Sequence, residues 1–338
     1  MPEIQYNFSL KAFNTFGIDV NAKAFVSITN EKELAAILKQ NTLAIFVLSG
    51  GSNILLTKDI DALVIYINSK GITYKPLSDN EILVTAKAGE NWHNFVQYCV
   101  ENNWGGIENL SLIPGCVGSS PIQNIGAYGV ELKDCFVSCK AMDRQTFEIK
   151  NFTNEDCQFG YRNSVFKNKV KDKYIITEVS FKLTPKKHQF KTAYGAIESL
   201  LKEQNISQPS IKDIANAVIS IRKSKLPDPS SIGNSGSFFK NPIILKSTYE
   251  SLILEFPEIP HYPISKTEVK IPAGWLIDKA GLKGFVKGNA AVHDKQALVL
   301  INKTGKASGK EILELAHYVQ RVVKNKYGIS LEMEVNIL

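Results

Sequence analysis

The sequence lacks the best-known signatures of nucleotide and metal chemistry. It contains no glycine-rich loop followed by Lys-Ser or Lys-Thr, no G-x-G-x-x-G fingerprint and no H-E-x-x-H. These absences argue against a P-loop triphosphatase, a Rossmann dinucleotide site and a zinc peptidase. The five histidines are scattered, which favours structural or surface roles. We therefore predict no metal site.

Cysteine is scarce, and long apolar runs are absent. The five cysteines are odd in number and lack the paired spacing of zinc ligands, which indicates buried free thiols in a reducing compartment. No run approaches membrane-spanning length, and the amino terminus has no apolar core behind a basic start. We expect a soluble, cytoplasmic, monomeric protein without a membrane partner.

The composition is that of an ordinary globular protein. At 338 residues the chain is long enough for two or three domains, and 44% hydrophobic with 22% charged residues allow a sizeable core. The formal net charge of +7 is mild, and the lysines and arginines are spread along the chain. This distribution favours small anionic ligands over nucleic acid.

One stretch organises the chain, LIPGCVGSSPIQNIGAYG at residues 112–129. Its glycines and prolines disfavour both a helix and a plain strand, so we predict a shaped turn structure. Backbone amides in such turns form concave donor sets for phosphate oxygens, and the hydroxyls of Ser119 and Ser120 would add to them. The stretch is therefore predicted to receive a ligand at its backbone.

A second glycine turn, Gly50-Gly51-Ser52-Asn53, follows the apolar run 43–48, which is typical of a buried strand. Two such turns suit a pyrophosphate. The alternative is that each is an ordinary tight turn, because glycine, asparagine and serine dominate turns. The length and composition of 112–129 favour the ligand-binding interpretation.

Periodic segments predict a mixed α/β (α+β) protein. Capping patterns at Asn30, Asn91 and Ser308 each open a predicted helix, and a further helix is predicted over 210–225. The β-branched and aromatic residues of 137–183 predict a mixed sheet, and Leu226-Pro227-Asp228-Pro229 predicts a domain boundary. Strands are predicted at 43–48, 54–56, 63–67, 82–88, 137–142, 146–149, 174–183 and 329–338.

Three groups of residues could carry chemistry. The motif at 233–242 nearly forms a nucleophile elbow, but its glycine is displaced and no histidine is an evident base. A hydrolase is therefore disfavoured. The alternative is that Ser235 and Ser237 are simply turn hydroxyls. Arg162 offers a bidentate fork for a carboxylate or enolate oxygen, or a surface ion pair. Glu334 is predicted to lie on the same strand face as Glu332. The alternative is that this face carries glutamates simply because it is exposed to solvent.

Seven ordered motifs, spanning the chain from about Asn14 to Val335, together resemble one family. The family is that of the UDP-N-acetylenolpyruvoylglucosamine reductases, which are bacterial cell-wall flavoenzymes. The motifs are IPGCVGSSPIQNIGAYG, FGYRNSVFK, KLPDP, GNSGSFFKNP, AGWLID, AAVHDKQALVLIN and LEMEV.

This resemblance implies a fold and a reaction. The fold is a two-lobed FAD-binding region of the vanillyl-alcohol-oxidase/PCMH type with a separate α+β substrate-binding domain. The implied division is 1–68 with 325–338 for the first lobe, 69–220 for the second and 221–324 for the substrate domain. The reaction is the reduction of UDP-N-acetylglucosamine enolpyruvate to UDP-N-acetylmuramate, driven by NADPH through non-covalently bound FAD.

The resemblance also assigns residues. For catalysis it implies Arg162 and Glu334 as stabilisers of an enolate-like intermediate, and Ser237 as proton donor, with Lys225 able to assist. The implied cofactor-binding residues are Gly50, Gly51, Ser52, Asn53, Pro114, Gly115, Gly118, Ser119, Ser120, Ile122, Asn124, Gly126, Ala127, Tyr128, Ile176 and Arg222. The implied substrate-binding residues are Tyr194, Lys225, Asn241, Tyr262, Lys283 and Gln296.

The sequence departs from the family pattern in places. Tyr194 and the segment 261–263 match the family's type I branch, in which a tyrosine loop closes over substrate. Met333 stands where many relatives carry proline, and Asn336 replaces a basic residue that commonly contacts the flavin, so we expect a somewhat altered flavin affinity. Cys116 lies inside the flavin loop, where we predict a packing role.

Two rival functions remain open from the sequence. One is another flavin oxidoreductase of the same superfamily, such as an oxidase of small alcohols, whose reduced flavin would react quickly with oxygen. The other is a non-catalytic nucleotide-sugar binding protein, which would be colourless. The joint presence of Arg162, Ser237 and Glu334 argues against both.

Overall fold

The computed structural model describes residues 2–193 and 195–338, so the predicted substrate residue Tyr194 lies outside the described residues. The described chain divides into two compact units, each made of three segments. The first unit consists of the chain through Phe8, Ala22–Gly50 and Asp61–Ser224, and the second of Ser9–Asn21, Gly51–Ile60 and Lys225–Leu338. The three-part division given above stays a prediction.

The secondary structure of the described residues alternates between short strands and helices. The strands are β1 (Gln5–Ser9), β2 (Asn21–Ile28), β3 (Ile45–Leu48), β4 (Ile54–Leu55), β5 (Ile60–Ile67), β6 (Ile72–Ser78), β7 (Glu81–Lys87), β8 (Gly126–Ala127), β9 (Val130–Glu131), β10 (Phe136–Asp143), β11 (Ile149–Thr153), β12 (Tyr174–Leu183), β13 (Gly233–Ser237), β14 (Ile243–Leu245), β15 (Tyr262–Pro263), β16 (Glu268–Lys270), β17 (Val286–Lys287), β18 (Ala290–Val292), β19 (Val299–Asn302) and β20 (Asn336–Ile337). The helices are α1 (Glu31–Gln40), α2 (Trp92–Glu101), α3 (Asn154–Cys157), α4 (Gly195–Glu203), α5 (Ile211–Lys225), α6 (Lys246–Glu255), α7 (Ala273–Lys279) and α8 (Gly309–Tyr327).

The first unit opens with a four-stranded sheet in the order β1-β2-β5-β3, in which β3 and β5 are parallel. Helix α1 begins as predicted, because the side chain of Asn30 accepts a hydrogen bond from the Glu33 N–H at 3.0 Å. Its buried face is the predicted one, formed by Leu34, Ile37 and Leu38. These side chains pack into one apolar cluster with residues of β2 and β5.

A second sheet of the first unit has the order β11-β10-β12-β7-β6 and is antiparallel throughout. The predicted mixed sheet was therefore wrong, because strand composition does not specify strand direction. Helix α2 covers this sheet, and Trp92, Phe95 and Phe181 meet with ring centroids 5.0 to 5.8 Å apart. Val117 of the predicted flavin loop belongs to the same buried apolar cluster as these three rings.

Two predicted strands differ from the observed ones in a way that the structure explains. The strand predicted at 146–149 begins only at Ile149, because Asp143 accepts the N–H groups of Gln145 and Thr146 and so forms a turn. The strand predicted at 329–338 shrinks to β20, which pairs in parallel with the two-residue β4. Its short partner limits the length of this ladder.

The second unit contains the sheet β13-β19-β18-β17 and the small sheet β14-β16-β15. Helix α8 packs against β18 and β19. The helix follows its predicted boundaries, since Ser308 and Glu311 form a reciprocal capping box and Gly328 ends it at φ +69°.

The five cysteines are free and buried, as predicted. Within residues 2–193 and 195–338, no helix has both the length and the apolar character needed to cross a membrane.

Candidate active site

The predicted flavin loop forms a compact turn over residues 117–120. Val117–Ser119 makes one turn of 3₁₀ helix. The hydroxyl of Ser119 donates to the Cys116 carbonyl at 2.8 Å, and that of Ser120 donates to the Val117 carbonyl at 2.7 Å. Both hydroxyl protons therefore stabilise the turn itself, and the N–H groups of residues 117–120 likewise donate to backbone carbonyls. The anion-binding role predicted for this stretch would thus fall to amides outside the 117–120 turn.

Gly50, the first residue of the shorter glycine turn, contacts the 112–129 loop within the first unit. A Cβ built on Gly50 would lie 2.6 Å from the Cα of Gly115, so only glycine permits this approach of the two backbones. Gly118 is similarly close to Ala88, where a Cβ would lie 2.5 Å from the alanine Cβ. The structure brings Gly50 of one predicted turn into contact with Gly115 of the other, while their binding of a pyrophosphate stays a prediction.

Arg162 is attached to the far end of the same loop. Its Nη2 donates to the Gly126 carbonyl at 2.8 Å, and its guanidinium carbon lies 5.6 Å from the centroid of the Tyr161 ring. The Arg162 backbone has φ +52°, within a tight turn where Gly160 and Asn163 exchange backbone hydrogen bonds. The segment is fastened to the loop by the Ser164 hydroxyl, which donates to the Ile122 carbonyl at 2.6 Å.

A second arginine, Arg222 on α5, approaches the start of the loop. Its Nε donates to the Leu112 carbonyl at 3.3 Å. Burial lowers the pKa of the Arg222 guanidinium, Tyr128 opposes this shift through a hydrogen bond, and the charge of Arg162 adds to the lowering. The guanidinium groups of Arg162 and Arg222, which bond to the two ends of the loop, make its surroundings electropositive, which favours an anionic ligand.

Three other predicted cofactor residues of the first unit, Ile122, Asn124 and Ile176, differ in their surroundings. Asn124 has φ +44°, and its side chain joins the Gly160 carbonyl to the Lys133 N–H. Ile122 is 39% exposed, whereas Ile176 lies buried in β12 opposite Ala141.

In the second unit, Ser237 and Glu334 occupy adjoining backbone segments. The Glu334 N–H donates to the Phe238 carbonyl at 2.8 Å, and the Lys240 N–H donates to the Glu332 carbonyl at 2.9 Å. The segment that follows Ser237 therefore runs antiparallel to 332–334. Both candidate residues sit at the same end of this pairing.

A bulge sets the position of Ser237 at the end of β13. The register with β19 shifts between Asn234 and Ser237, and the Gly236 N–H donates to the Asn234 side chain at 2.9 Å. Gly236 itself has φ +66°, a conformation that glycine tolerates. Because of this bulge, the Ser237 side chain does not follow the regular alternation of side chains along β13.

Glu332 and Glu334 differ in environment. The Glu332 side chain is 71% exposed and forms an ion pair with Lys240, whereas Glu334 is half-buried. Met333 forms an isolated antiparallel bridge with Phe239, so the segment is not a regular strand as predicted, and the common face of Glu332 and Glu334 stays a prediction.

Asn53 is anchored to the carboxyl-terminal segment. Its side chain donates to the Glu334 carbonyl at 3.3 Å, while its own carbonyl accepts from the N–H and the side-chain amide of Asn336, at 3.1 and 2.9 Å. Asn336 therefore supports the glycine turn in place of the basic residue expected there. Gly51, where a Cβ would lie 2.0 Å from the Phe13 carbonyl oxygen, fits the same crowded turn.

Three predicted substrate residues share one pocket of about 300 Å³ in the second unit: Asn241, Lys283 and Gln296. The Asn241 side chain accepts from the Ala273 N–H at the start of α7, at 2.9 Å. Lys283 lies 2.7 Å from Asp278. The pocket offers a cation and amides, a set suited to phosphate and to a polar base or sugar.

The structure adds lining residues that the sequence did not indicate individually. Trp275, Asp278 and Lys295 line the same pocket, and Trp275 and Asp278 come from the AGWLID motif on α7. A tryptophan and a carboxylate three residues apart on a helix would have been a usable signal.

Two predicted substrate residues lie elsewhere. Tyr262 is 52% exposed on β15, at an edge of the small sheet, and is not a lining residue of the pocket. Lys225 is exposed at the end of α5.

Cys116 is buried, and burial raises the pKa of its thiol. A thiol with a raised pKa is a poor nucleophile. This environment agrees with a packing role.

Two protein-family models match the chain. The model described as a FAD binding domain matches residues 22–149, and the one described as the C-terminal domain of UDP-N-acetylenolpyruvoylglucosamine reductase matches residues 228–338. Among curated proteins, the reductase of that name from Flavobacterium johnsoniae is 56% identical over 99% of this chain and 100% of its own length. The one from Pseudomonas syringae pv. syringae is 45% identical over 99% of both chains.

Two solved structures resemble the fold. The UDP-N-acetylenolpyruvylglucosamine reductase from Thermus caldophilus has a TM-score of 0.67 at 23% identity, covering 100% of this chain and 98% of its own. p-Cresol methylhydroxylase has a TM-score of 0.51 at 11% identity, covering 96% of this chain and 83% of its own. The predicted fold class is thereby confirmed.

The matched FAD-binding domain and the curated reductases that align with the whole chain define a FAD-dependent oxidoreductase. The full-length similarity at 45% to 56% identity makes the assignment more specific. The chain belongs to the UDP-N-acetylenolpyruvoylglucosamine reductase family, as the ordered motifs predicted.

Proposed function

We propose that the chain reduces the enolpyruvyl group of UDP-N-acetylglucosamine enolpyruvate and releases UDP-N-acetylmuramate. The family's reaction belongs to peptidoglycan precursor synthesis, with NADPH as co-substrate. The observation that carries the residue-level proposal is the antiparallel pairing that holds Ser237 beside the Glu334 segment. The free, buried cysteines support a cytoplasmic setting.

The residues around the two glycine turns fit a flavin dinucleotide. The contact between Gly50 and Gly115 creates backbone surface without side chains, and the amides there suit a pyrophosphate. Arg222, half-buried and bonded to the Leu112 carbonyl, adds a positive charge near the start of the loop. When bound, FAD supplies the hydride that NADPH delivers to it.

Arg162 would bind the substrate carboxylate. Addition of a hydride to the terminal vinyl carbon moves an electron pair toward that carboxylate, so negative charge develops there. A guanidinium already held by the Gly126 carbonyl and the Tyr161 ring needs little reorganisation to stabilise the charge. This preorganisation supports Arg162 as the electrostatic catalyst.

Ser237 would donate the proton that completes the reduction. The carbon bearing the ether oxygen becomes strongly basic once the enolate-like intermediate forms, so a positioned hydroxyl suffices as acid. Glu334 would polarise this proton network. The C=C bond then gains one hydride and one proton, and NADPH is oxidised to NADP⁺.

The pocket of Asn241, Lys283 and Gln296 would bind the uridine diphosphate part of the substrate. Lys283 suits a phosphate, and the two amides suit uracil or sugar groups. Tyr262 and Lys225 are proposed to approach the substrate from outside this pocket. Tyr194 is also proposed to bind substrate, on the sequence resemblance alone. Remote contacts of this kind supply the binding energy that orients the reacting carbon.

An anaerobic visible spectrum of the purified protein tests the proposal. The flavin bands should bleach on addition of NADPH and return only when UDP-N-acetylglucosamine enolpyruvate is added. If the bands return only with oxygen and not with that substrate, the flavin fold stands and the proposed substrate is refuted. A cofactor-saturated sample without bound flavin would refute the loop assignment as well.

A further inference from the structure

The flavin loop begins at a residue in an unfavourable backbone conformation. Leu112 has φ +59°, in the left-handed region that costs free energy for a branched side chain. No glycine or asparagine occupies the position to relieve this cost. A conformation of this kind persists only where its surroundings hold it.

Both backbone polar groups of Leu112 are held by side chains from helices. The Leu112 N–H donates to Nδ1 of His93 on α2 at 3.0 Å. Its carbonyl accepts from Nε of Arg222 on α5 at 3.3 Å. The residue is therefore held between two helices, a few residues before Gly115 and Cys116 contact Gly50.

The hydrogen bond to His93 specifies the state of its ring. Nδ1 accepts a hydrogen bond only when it carries no proton, so the imidazole must be neutral with its proton on Nε2. The His93 side chain is half-buried, and the charged groups acting on it among the described residues are Lys223 and Arg222 of α5. Burial, Lys223 and Arg222 all lower the pKa of His93, which favours the accepting form.

We propose that His93 is a positioning residue for the flavin: its neutral Nδ1 holds Leu112 in the left-handed conformation that sets the glycine loop against the Gly50 turn. The inference rests on the assignment of 112–129 to FAD in the proposed function. Protonation of His93 removes the acceptor and leaves the Leu112 N–H without a partner in a strained turn. FAD affinity should therefore fall in acid through this residue.

The direction of the pH effect follows from linkage. Because the native pKa of His93 lies below the ordinary histidine value of 6.5, the neutral form dominates at neutral pH. The stabilisation that the His93–Leu112 hydrogen bond provides is present above the ordinary histidine value and is lost as the pH falls toward the lower native pKa. FAD release should increase over the same interval.

Two substitutions distinguish the role of His93 as a hydrogen-bond acceptor from a role in packing alone. In His93→Asn, the side-chain oxygen can take the place of Nδ1 and cannot be protonated in this range. In His93→Leu, the acceptor is lost. Serial dilution of the holoenzyme, with the fluorescence of released FAD as readout, gives the FAD Kd of each variant at about pH 7.5 and about pH 5.

We expect the wild-type FAD Kd to rise about tenfold between the two pH values, the size of effect that follows loss of a buried hydrogen-bond partner. His93→Asn should match the wild type at the higher pH and show a much smaller rise. His93→Leu should bind FAD about tenfold more weakly already at the higher pH. A wild-type pH curve reproduced by His93→Asn, or an unchanged Kd in His93→Leu, would overturn the proposal.

Two controls keep the result interpretable. If His93→Leu fails to fold, as judged by circular dichroism, the difference between the wild-type and His93→Asn pH curves decides alone. Ile122→Glu, which alters an exposed residue of the same loop, tests the loop assignment independently. Normal FAD binding in Ile122→Glu would refute the assignment of the loop to FAD, whereas weak binding there with normal binding in His93→Leu would refute only the role of His93.

Discussion

The N–H of Glu334 donates to the carbonyl of Phe238 at 2.8 Å, so the residue after Ser237 is fixed to the segment that carries the candidate carboxylate. Ser237→Ala removes one hydroxyl without disturbing this backbone pairing. We expect flavin reduction by NADPH to stay intact and flavin reoxidation by the substrate to fall about 10³-fold, as for the loss of a general acid. Stopped-flow absorbance measures both half-reactions, with Ser235→Ala as the matched control. Full turnover in Ser237→Ala would remove this residue from the mechanism.

Arg162→Lys tests the geometry of the guanidinium separately from its charge. Lysine keeps the positive charge but loses the fork that binds Gly126 and would bind a carboxylate. We expect reoxidation by substrate to slow about 100-fold. Arg144→Lys, at an arginine that bonds the Asp172 carbonyl, should leave the rate unchanged. Equal rates for the wild type and Arg162→Lys would mean that charge alone suffices.

In the pocket of the second unit, the carboxylate of Asp278 would compete with an anionic ligand for Lys283. Asp278 lies 2.7 Å from Lys283, and an anionic ligand must share or displace that contact. Asp278→Asn should therefore bind uridine diphosphate about two- to fivefold more tightly, the range of an exposed ion pair. Isothermal titration calorimetry measures the Kd, with Glu258→Gln, which breaks the Lys279 pair, as control. Weaker binding would instead show that Asp278 contacts the ligand.

Glu178 joins two lysines on the five-stranded sheet, with Lys87 at 2.6 Å and Lys140 at 2.7 Å. Glu178→Gln leaves both ammonium groups without their counter-charge, and we expect the free energy of unfolding to fall by about 1–2 kcal/mol at neutral pH. Glu81→Gln, at the more exposed pair with Lys182, should cost less than about 0.5 kcal/mol. Urea denaturation measures both changes, and equal effects would contradict the argument.

The same carboxylate predicts a pH dependence. Burial opposes ionisation of Glu178, but hydrogen bonds from Lys140 and Lys87 outweigh it and lower its pKa below the ordinary value of 4.5. The stabilisation is fully present above that ordinary value and is lost as the pH falls through the lower native pKa. The stability difference between wild type and Glu178→Gln should shrink over that acid interval. A difference that stays constant would rule out this linkage.

Gly50→Ala tests the contact between the glycine turns. The new Cβ would lie 2.6 Å from the Gly115 backbone, which must shift to accommodate it. We expect the FAD Kd to rise at least about tenfold. Gly160→Ala is the control, because a Cβ there would meet its nearest neighbour at 3.7 Å, an ordinary contact. Unaltered FAD binding in Gly50→Ala would separate this contact from the cofactor site.

Local signals in the sequence predicted local structure well. The caps at Asn30, Asn91 and Ser308 each begin a helix as expected, because a cap depends on residues three positions apart. The glycine and proline composition of 112–129 likewise predicted an irregular loop, and the stretch contains a turn of 3₁₀ helix and only a short strand. Such features need no knowledge of distant contacts.

Features that depend on distant residues were not predictable. The left-handed conformation of Leu112 is set by His93 and Arg222, which lie far away in the sequence. The short pairing of β20 depends on the equally short β4. The pocket around Asp278 forms only when α7 meets residues beyond 280. Sequence patterns do not contain these distances.

The interleaving of the two units restricts how the protein can be divided. The second unit takes in 51–60 from the amino-terminal half, and β20 near the carboxyl terminus pairs with β4 from that segment. A fragment that starts at Lys225 would leave β20 without its partner strand. The carboxyl-terminal portion is therefore a poor candidate for separate expression, and recombination between relatives should succeed only when the exchanged block carries 51–60 along with it.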